Sequence, residues 1–178
     1  MEKESSKGSY SKNQSIRLII ALAFVVLVVF SLIFYLSLPL LTGKRIVLST
    51  MPVDPFDILR GQYLTIGYQI STIPAIDGAQ IGDKVYVTLE ENSTHLWVYK
   101  SASLSKPSDD SVFIRGEITN TWGNQTRLQY GIEQYFFERD AHIDTRNMTV
   151  EAKVGSSGQA RIVQLLQNGK PLKIGYSN

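Results

Sequence analysis

The chain has 178 residues and no cysteine, so it suits one ordinary domain with an appendage and excludes a disulfide framework or thiolate chemistry. Its 18 basic and 16 acidic side chains give a formal charge of +2, which comes entirely from residues 1–17. Residues 43–178 hold 14 basic and 14 acidic side chains, and this balance argues against nucleic acid as a partner.

The first predicted element is a transmembrane helix over residues 18–41. These 24 residues contain no charged side chain. As a helix they would extend roughly 36 Å, enough to cross a hydrocarbon core of about 30 Å. The alternative is a cleaved secretory signal, whose apolar region is about 7–15 residues long and ends at a small-residue site. The run here is longer and no A-x-A-like pattern follows it, which favours an uncleaved signal anchor.

The charges on either side of the helix predict its orientation in a cell membrane. The Ser-rich tail, residues 1–17, carries four Lys or Arg, whereas only Lys44 and Arg45 follow the helix closely. The tail is expected to be a disordered segment in the cytoplasm. We therefore expect a single-pass protein with its N-terminus in the cytoplasm and residues 43–178 outside, as an extracytoplasmic β domain. Three glycosylation sequons begin in that part, at Asn92, Asn124 and Asn147, and such short patterns carry little weight.

A dense group of Pro, Asp, Arg and Gly after the first strand predicts a defined corner in the backbone. Asp54 occupies an N-cap position with Pro55 at the first helical position, and Asp57 follows in the first turn. Gly61 falls where a left-handed residue would end such a helical turn. From residue 63 to 70, apolar and polar residues alternate, which predicts a half-buried strand.

The rest of the chain shows short period-2 segments separated by turn residues. They predict a mostly β fold, a small barrel or a sandwich, with eight or nine short strands and at most one short helix, at 138–146. The predicted strands are 44–50, 63–70, 84–90, 95–100, 112–119, 127–137 with a break or bulge at Gly131, 148–154, 159–167 and, after an Asn168-Gly169 hairpin turn, 171–176.

Residues Pro52–Tyr68, PVDPFDILRGQYLTIGY, resemble the signature of the GDYXXLXY family, small membrane-anchored proteins without an assigned reaction. Ile66 replaces a Leu of that signature, and Gln62 replaces its Asp, so this chain has no carboxylate at position 62. YGIEQYF (130–136) and the closing ARIVQLLQNGKP (160–171) are similar to further stretches of the family. The resemblance implies an accessory protein with a membrane-protein partner. The matching signature positions are Pro52, Val53, Asp54, Pro55, Asp57, Leu59, Arg60, Gly61, Tyr63 and Tyr68.

The corner is the best candidate for a binding face on a non-enzymatic domain. Its candidate residues are Asp54, Asp57, Arg60, Gly61, Tyr63 and Tyr68, with Glu133 contributed by the second family-like stretch. A purely structural interpretation also fits: a capped turn, a pair between Arg60 and a carboxylate, and tyrosines that fill the sheet. That structural interpretation accounts for the Pro, Asp and Gly positions without any ligand.

An enzyme is the alternative hypothesis. Ser49-Thr50-Met51-Pro52 after an apolar helix resembles the nucleophile box of type I signal peptidases, in which a buried Lys activates the Ser. Lys84 is the candidate base, although Ser49 is spaced differently from the motif. No metal site is predicted, because His95 and His142 lack converging ligands, and no phosphate loop or other cofactor motif occurs.

Overall fold

The structure is a computed structural model that describes residues 8–51, 63–136, 141–142, 146–172 and 175–176. The chain divides into two compact units, Met1–Leu38 and Pro39–Asn178. The described elements are one long helix, fourteen strands and one short 3-10 turn. In chain order they are α1 (Gly8–Thr42), β1 (Lys44–Met51), β2 (Tyr63–Thr65), β3 (Gly67–Tyr68), η1 (Gln69–Ser71), β4 (Thr72–Pro74), β5 (Lys84–Glu91), β6 (Trp97–Ser103), β7 (Phe113–Trp122), β8 (Gln125–Gln129), β9 (Gln134–Phe136), β10 (Ala141–His142), β11 (Met148–Val154), β12 (Ala160–Gln167), β13 (Lys170–Pro171) and β14 (Gly175–Tyr176).

Helix α1 begins at Gly8, within the tail that was expected to be disordered, and from Leu18 onward it is apolar with mostly exposed side chains. Within it, Gln14–Thr42 is long and apolar enough, at 29 residues, to cross a membrane, and none of its most apolar stretch is buried. A signal sequence near an N-terminus can meet the same criteria of length and composition. In the last third of the helix the Ser37 hydroxyl bonds back to the carbonyl of Ile33 at 2.8 Å, so this polar side chain is satisfied within the helix.

The strands confirm the predicted mostly β fold and form a nearly closed, barrel-like body. The strands form two five-stranded sheets, ordered β13-β12-β11-β1-β3 and β4-β8-β7-β5-β6, and two two-stranded pairs, β2-β9 and β10-β14. Every described pair is antiparallel. One apolar core lies between the sheets, with Ile46 and Leu48 from the first and Val85 and Val87 from the second wholly buried.

Two sequence-based predictions about the strands need correction. The described residues form fourteen strands rather than eight or nine, because several are pairs or triplets at places where the chain changes sheet. The predicted strand 63–70 is broken: β3 ends at Tyr68, η1 follows, and β4 then enters the second sheet. Buried Tyr68 and Ile70 keep the alternating pattern across this crossing, so the pattern alone does not reveal it.

Turns lie where Gly and Asn were expected. Asn168 and Gly169 have φ of 49° and 76°, the left-handed pair typical of a tight hairpin, and they connect β12 to β13. Gly131 has φ of 78° and separates β8 from β9, so the predicted break is confirmed. Of the predicted helix or loop at 138–146, Ala141–His142 is a short strand and Arg146 lies in a turn; the other residues lie outside the described part.

Candidate functional site

The two family-like stretches meet in the folded body. Strand β2 pairs with β9, so that Tyr63 lies opposite Phe136 and Leu64 opposite Tyr135. The pairing continues one residue further, because the backbone N–H of Ile66 donates to the carbonyl of Glu133 at 2.7 Å. Segments about 70 residues apart in the sequence therefore form one structural unit, the candidate site.

Two buried tyrosines hold these segments together reciprocally. The Tyr68 hydroxyl donates to the carbonyl of Ile132 at 2.5 Å, and the Tyr130 hydroxyl donates to the carbonyl of Ile70 at 2.5 Å. Tyr68 is fully buried and Tyr130 nearly so. Each segment thus provides one hydroxyl donor and one carbonyl acceptor to the other, which fixes the position of η1 against the turn after β8.

Burial raises the pKa of both tyrosines well above the ordinary value, and the nearby Glu133 charge raises it further. Both hydroxyls therefore stay protonated throughout the physiological pH range. Since each hydroxyl proton is also donated to a buried carbonyl, neither tyrosine is available as an acid or base for a bound molecule. Their role in the described structure is to fix the shape of the site.

Glu133 stabilises the turn that carries it. One carboxylate oxygen accepts the backbone N–H of Tyr130 at 2.5 Å and the other accepts that of Gly131 at 2.8 Å. Gly131 has a left-handed backbone, and the carboxylate satisfies two N–H groups that this turn takes out of the sheet. The second family-like stretch is consequently a turn held by its own acidic side chain.

A pocket of about 260 Å³ lies at this unit, and its mixed polar and apolar lining includes two opposite charges. Arg127 is exposed on β8, and Glu133 is half-buried across the pocket lining. The pocket has room for a polar side chain or a small polar group, and the exposed Arg127 can hold an acidic one by charge-assisted hydrogen bonds. Its lining consists of Thr65, Ile66, Gly67, Ser71, Thr119, Arg127, Leu128, Gln129 and Glu133.

The structure describes some of the predicted binding residues and not others. Asp54, Asp57, Arg60 and Gly61 lie outside the described residues, and Tyr63 is described only as the first residue of β2. Of the remainder, Tyr68 is in the core and Glu133 lines the pocket. Binding by this set stays a prediction.

The Ser/Lys hydrolase alternative is not supported by the geometry. Ser49 lies on β1 opposite Thr149 and lines a different pocket, about 250 Å³, whose other lining residues are Gln69, Ile70, Trp97, Val98 and Tyr99. Lys84 is exposed on β5, opposite Glu117 on the neighbouring strand, and lines a third pocket. A serine nucleophile needs its base within hydrogen-bond reach, and no lysine lines the pocket at Ser49.

Sequence reasoning did not identify two residues of this site. Arg127 lies on β8, and its position in the pocket lining depends on a shift in register between β7 and β8 next to Thr119. A single sequence does not predict such a register shift. Tyr130 is part of the second family-like stretch, and its aromatic ring in a strand pattern indicates only a core position.

Within the described residues, no group of three or more His, Asp or Glu side chains could hold a metal ion.

The fold and site define a class of protein: one long apolar helix followed by a mostly β body whose two signature segments lock onto each other. The family model described as GDYXXLXY protein matches residues 25–165, from within α1 to β12. The chain belongs to this family. No curated protein and no solved structure matches it.

Proposed function

We propose that this chain is a membrane-anchored accessory protein whose β body binds a membrane-protein partner at the membrane surface. The observation that carries the proposal is the apolar segment Gln14–Thr42, whose described side chains lie almost entirely in solvent. Only Gly43 separates the end of α1 from β1. An anchored helix would therefore keep the body at the surface of the bilayer.

The apolar surface and the length of the segment support anchoring over cleavage. The core of the body begins at Ile46, and the most apolar stretch of the segment is exposed. A lipid bilayer is the environment in which such an apolar surface is stable. The span is also longer than the apolar region of a typical cleaved signal.

The site favours binding over catalysis. The tyrosine hydroxyls are engaged with backbone carbonyls, and Glu133 with backbone N–H groups, so these groups support a rigid surface rather than a reaction. Arg127 is exposed on β8 and lines the pocket. We propose that Arg127 and the corner residues Asp54, Asp57 and Arg60 together form the binding face.

Alkaline extraction tests the anchor. Membranes from cells that produce the full chain are washed with carbonate at high pH without detergent. We expect the protein to remain in the pellet at its full length, because a spanning helix is not released by charge or pH. A shortened protein that begins after residue 43, or full release into the supernatant, would refute anchoring.

Cysteine labelling tests the orientation, since the natural chain contains no cysteine. Ser157→Cys places a thiol on the exposed turn between β11 and β12, and Ser5→Cys places one in the tail. With the N-terminus in the cytoplasm, a membrane-impermeant maleimide should label position 157 in intact cells and position 5 only after lysis. The reverse pattern would contradict the proposed topology.

Site-specific photo-cross-linking tests the partner. A photoreactive residue at Gln129, an exposed residue of the pocket lining, should capture a multi-spanning membrane protein in native membranes. The same group at Ser157 serves as the control. Capture should fall when Arg127 is changed to Gln. Equal capture at both positions, or capture that is indifferent to Arg127, would remove this face from the proposal.

A further inference from the structure

Three cationic side chains lie in a row across the first sheet. Arg45 on β1 is directly opposite Lys153 on β11, and Lys153 is directly opposite Arg161 on β12. Directly opposed residues of antiparallel strands point to the same face of the sheet, with Cβ atoms about 4.5–5.5 Å apart. The fold therefore brings together three cations, of which the first, Arg45, and the last, Arg161, are more than 100 residues apart in the sequence.

Such a row is unfavourable without an anion. Like charges directly opposite each other destabilise a pair of strands. The row has one described counter-ion, Glu151, which is buried and accepts from Arg45 at 2.7 Å and from the Gln164 amide at 2.8 Å. A β-bulge between Glu151 and Ala152 in the β11-β12 register brings Gln164 to this position.

Two of the three positive charges remain to be compensated. Lys153 donates to a neutral backbone carbonyl rather than to a carboxylate, and Arg161 has no hydrogen-bond or ion-pair partner among the described residues. Among the described residues, three cations face one carboxylate, so the row carries a local charge of +2. An external anion would relieve this repulsion.

The location of the row indicates where that anion comes from. The carbonyl that accepts from Lys153 Nζ, at 2.7 Å, belongs to Leu40, which is part of the same compact unit and lies in the last turn of α1. Arg45 follows the end of that helix by three residues. If α1 spans a membrane, the end of the helix lies at the level of the lipid headgroups.

We propose that Arg45, Lys153 and Arg161 bind the phosphate of an anionic lipid headgroup. This inference rests on the proposed membrane anchor and adds a ligand class to it. The guanidinium groups provide paired N–H donors that match phosphate oxygens, and Lys153 adds a point charge between them. Binding of that phosphate would attach this face of the sheet to an anionic bilayer.

Lipid binding to the full chain tests the proposal. The protein, purified in a neutral detergent, is titrated with phosphatidylglycerol, with phosphatidylcholine, and with inorganic phosphate, and bound lipid is counted by native mass spectrometry. We expect phosphatidylglycerol to bind at least about tenfold more tightly than phosphatidylcholine. Each surface cation contributes about 1 kcal/mol to such binding, so Arg161→Gln should weaken it about fivefold.

Two variants separate this site from general surface charge. Arg161→Lys keeps the charge and should recover most of the affinity. Lys170→Gln removes one cation from the far end of the same sheet, about 17 Å from Lys153 along the strand direction, and should leave the affinity unchanged. Equal losses for Arg161→Gln and Lys170→Gln, or no loss for either, would overturn the proposal.

The remaining outcomes distinguish the ligand source and the anchor. Inorganic phosphate that competes as well as the lipid would assign the row to free phosphate and refute the lipid proposal. Failure of the anchor itself is seen separately, as release of the protein by carbonate. A protein that stays in the membrane but binds phosphatidylglycerol and phosphatidylcholine equally well would refute the lipid site alone.

Discussion

Removing the Tyr68 hydroxyl is the most direct test of how the site is held together. Tyr68→Phe keeps the buried ring and deletes only the donor to the Ile132 carbonyl. A buried acceptor that loses its partner costs about 1–3 kcal/mol, so we expect the free energy of unfolding to fall by that amount. For a body of this size the loss is a large fraction of its total stability.

The measurement is urea denaturation of the full chain in detergent, with tryptophan fluorescence as the signal of unfolding. Tyr86→Phe is the matched control, because Tyr86 is half-buried and packs edge-on against Phe113 through its ring, at 5.8 Å between centroids. The ring contact does not need the hydroxyl, so this control should change stability by less than about 0.5 kcal/mol.

The double variant Tyr68→Phe/Tyr130→Phe tests whether the two hydrogen bonds act as a unit. Both connect the same two segments, in opposite directions, so each restricts the motion that would break the other. We expect a coupling energy of at least about 0.5 kcal/mol in a double-mutant cycle. A loss for Tyr68→Phe no larger than that for Tyr86→Phe would refute the argument, and strictly additive losses would refute the coupling.

Three further predictions concern the same body. Burial raises the pKa of both site tyrosines above the unfolded value of about 10. Their contribution to stability is therefore complete below about pH 10 and is lost as the pH rises above it. The urea midpoint should fall between pH 9 and pH 11, and it should fall less in the double variant Tyr68→Phe/Tyr130→Phe. Gly158→Ala should destabilise more than Gly169→Ala. Both glycines are left-handed, but a Cβ at 158 would lie 2.8 Å from the Phe113 ring whereas at 169 nothing lies within 4 Å. Glu133→Gln should cost about 1–3 kcal/mol in urea denaturation, since one amide oxygen replaces two carboxylate oxygens that each accept a backbone N–H.

Local patterns in the sequence predicted most of the individual strands. Alternating residues place β1, β5 and β11 almost to the residue, because each strand buries one face in a single core and the side-chain period is two. The Asn168-Gly169 turn follows from residues that adopt left-handed conformations at low cost. These features depend only on neighbouring residues, which is why a single sequence is sufficient for them.

The candidate site depends on contacts that are distant in the sequence, and these were not predictable. Tyr68 bonds to a carbonyl 64 residues away, and Arg45 pairs with Glu151 across 106 residues. Nothing local to either residue specifies such a partner, because strand order and register decide it. Glu133 was identified as a site residue, but its two bonds to backbone N–H groups depend on the left-handed Gly131 and became evident only in the structure.

The tyrosine lock, which is the reciprocal pair of hydrogen bonds made by Tyr68 and Tyr130, and the basic row have separate parts in the proposed work. Rigid binding surfaces are favoured because less conformational entropy is lost when a partner binds. The two tyrosine bonds provide that rigidity at the signature segments, whereas the row of Arg45, Lys153 and Arg161 would fix the body on the lipid. If both proposals hold, Arg161→Gln, which removes the one cation of the row without a partner among the described residues, should weaken capture of the partner at Gln129 without lowering the urea stability of the body. Loss of the tyrosine lock should reduce both.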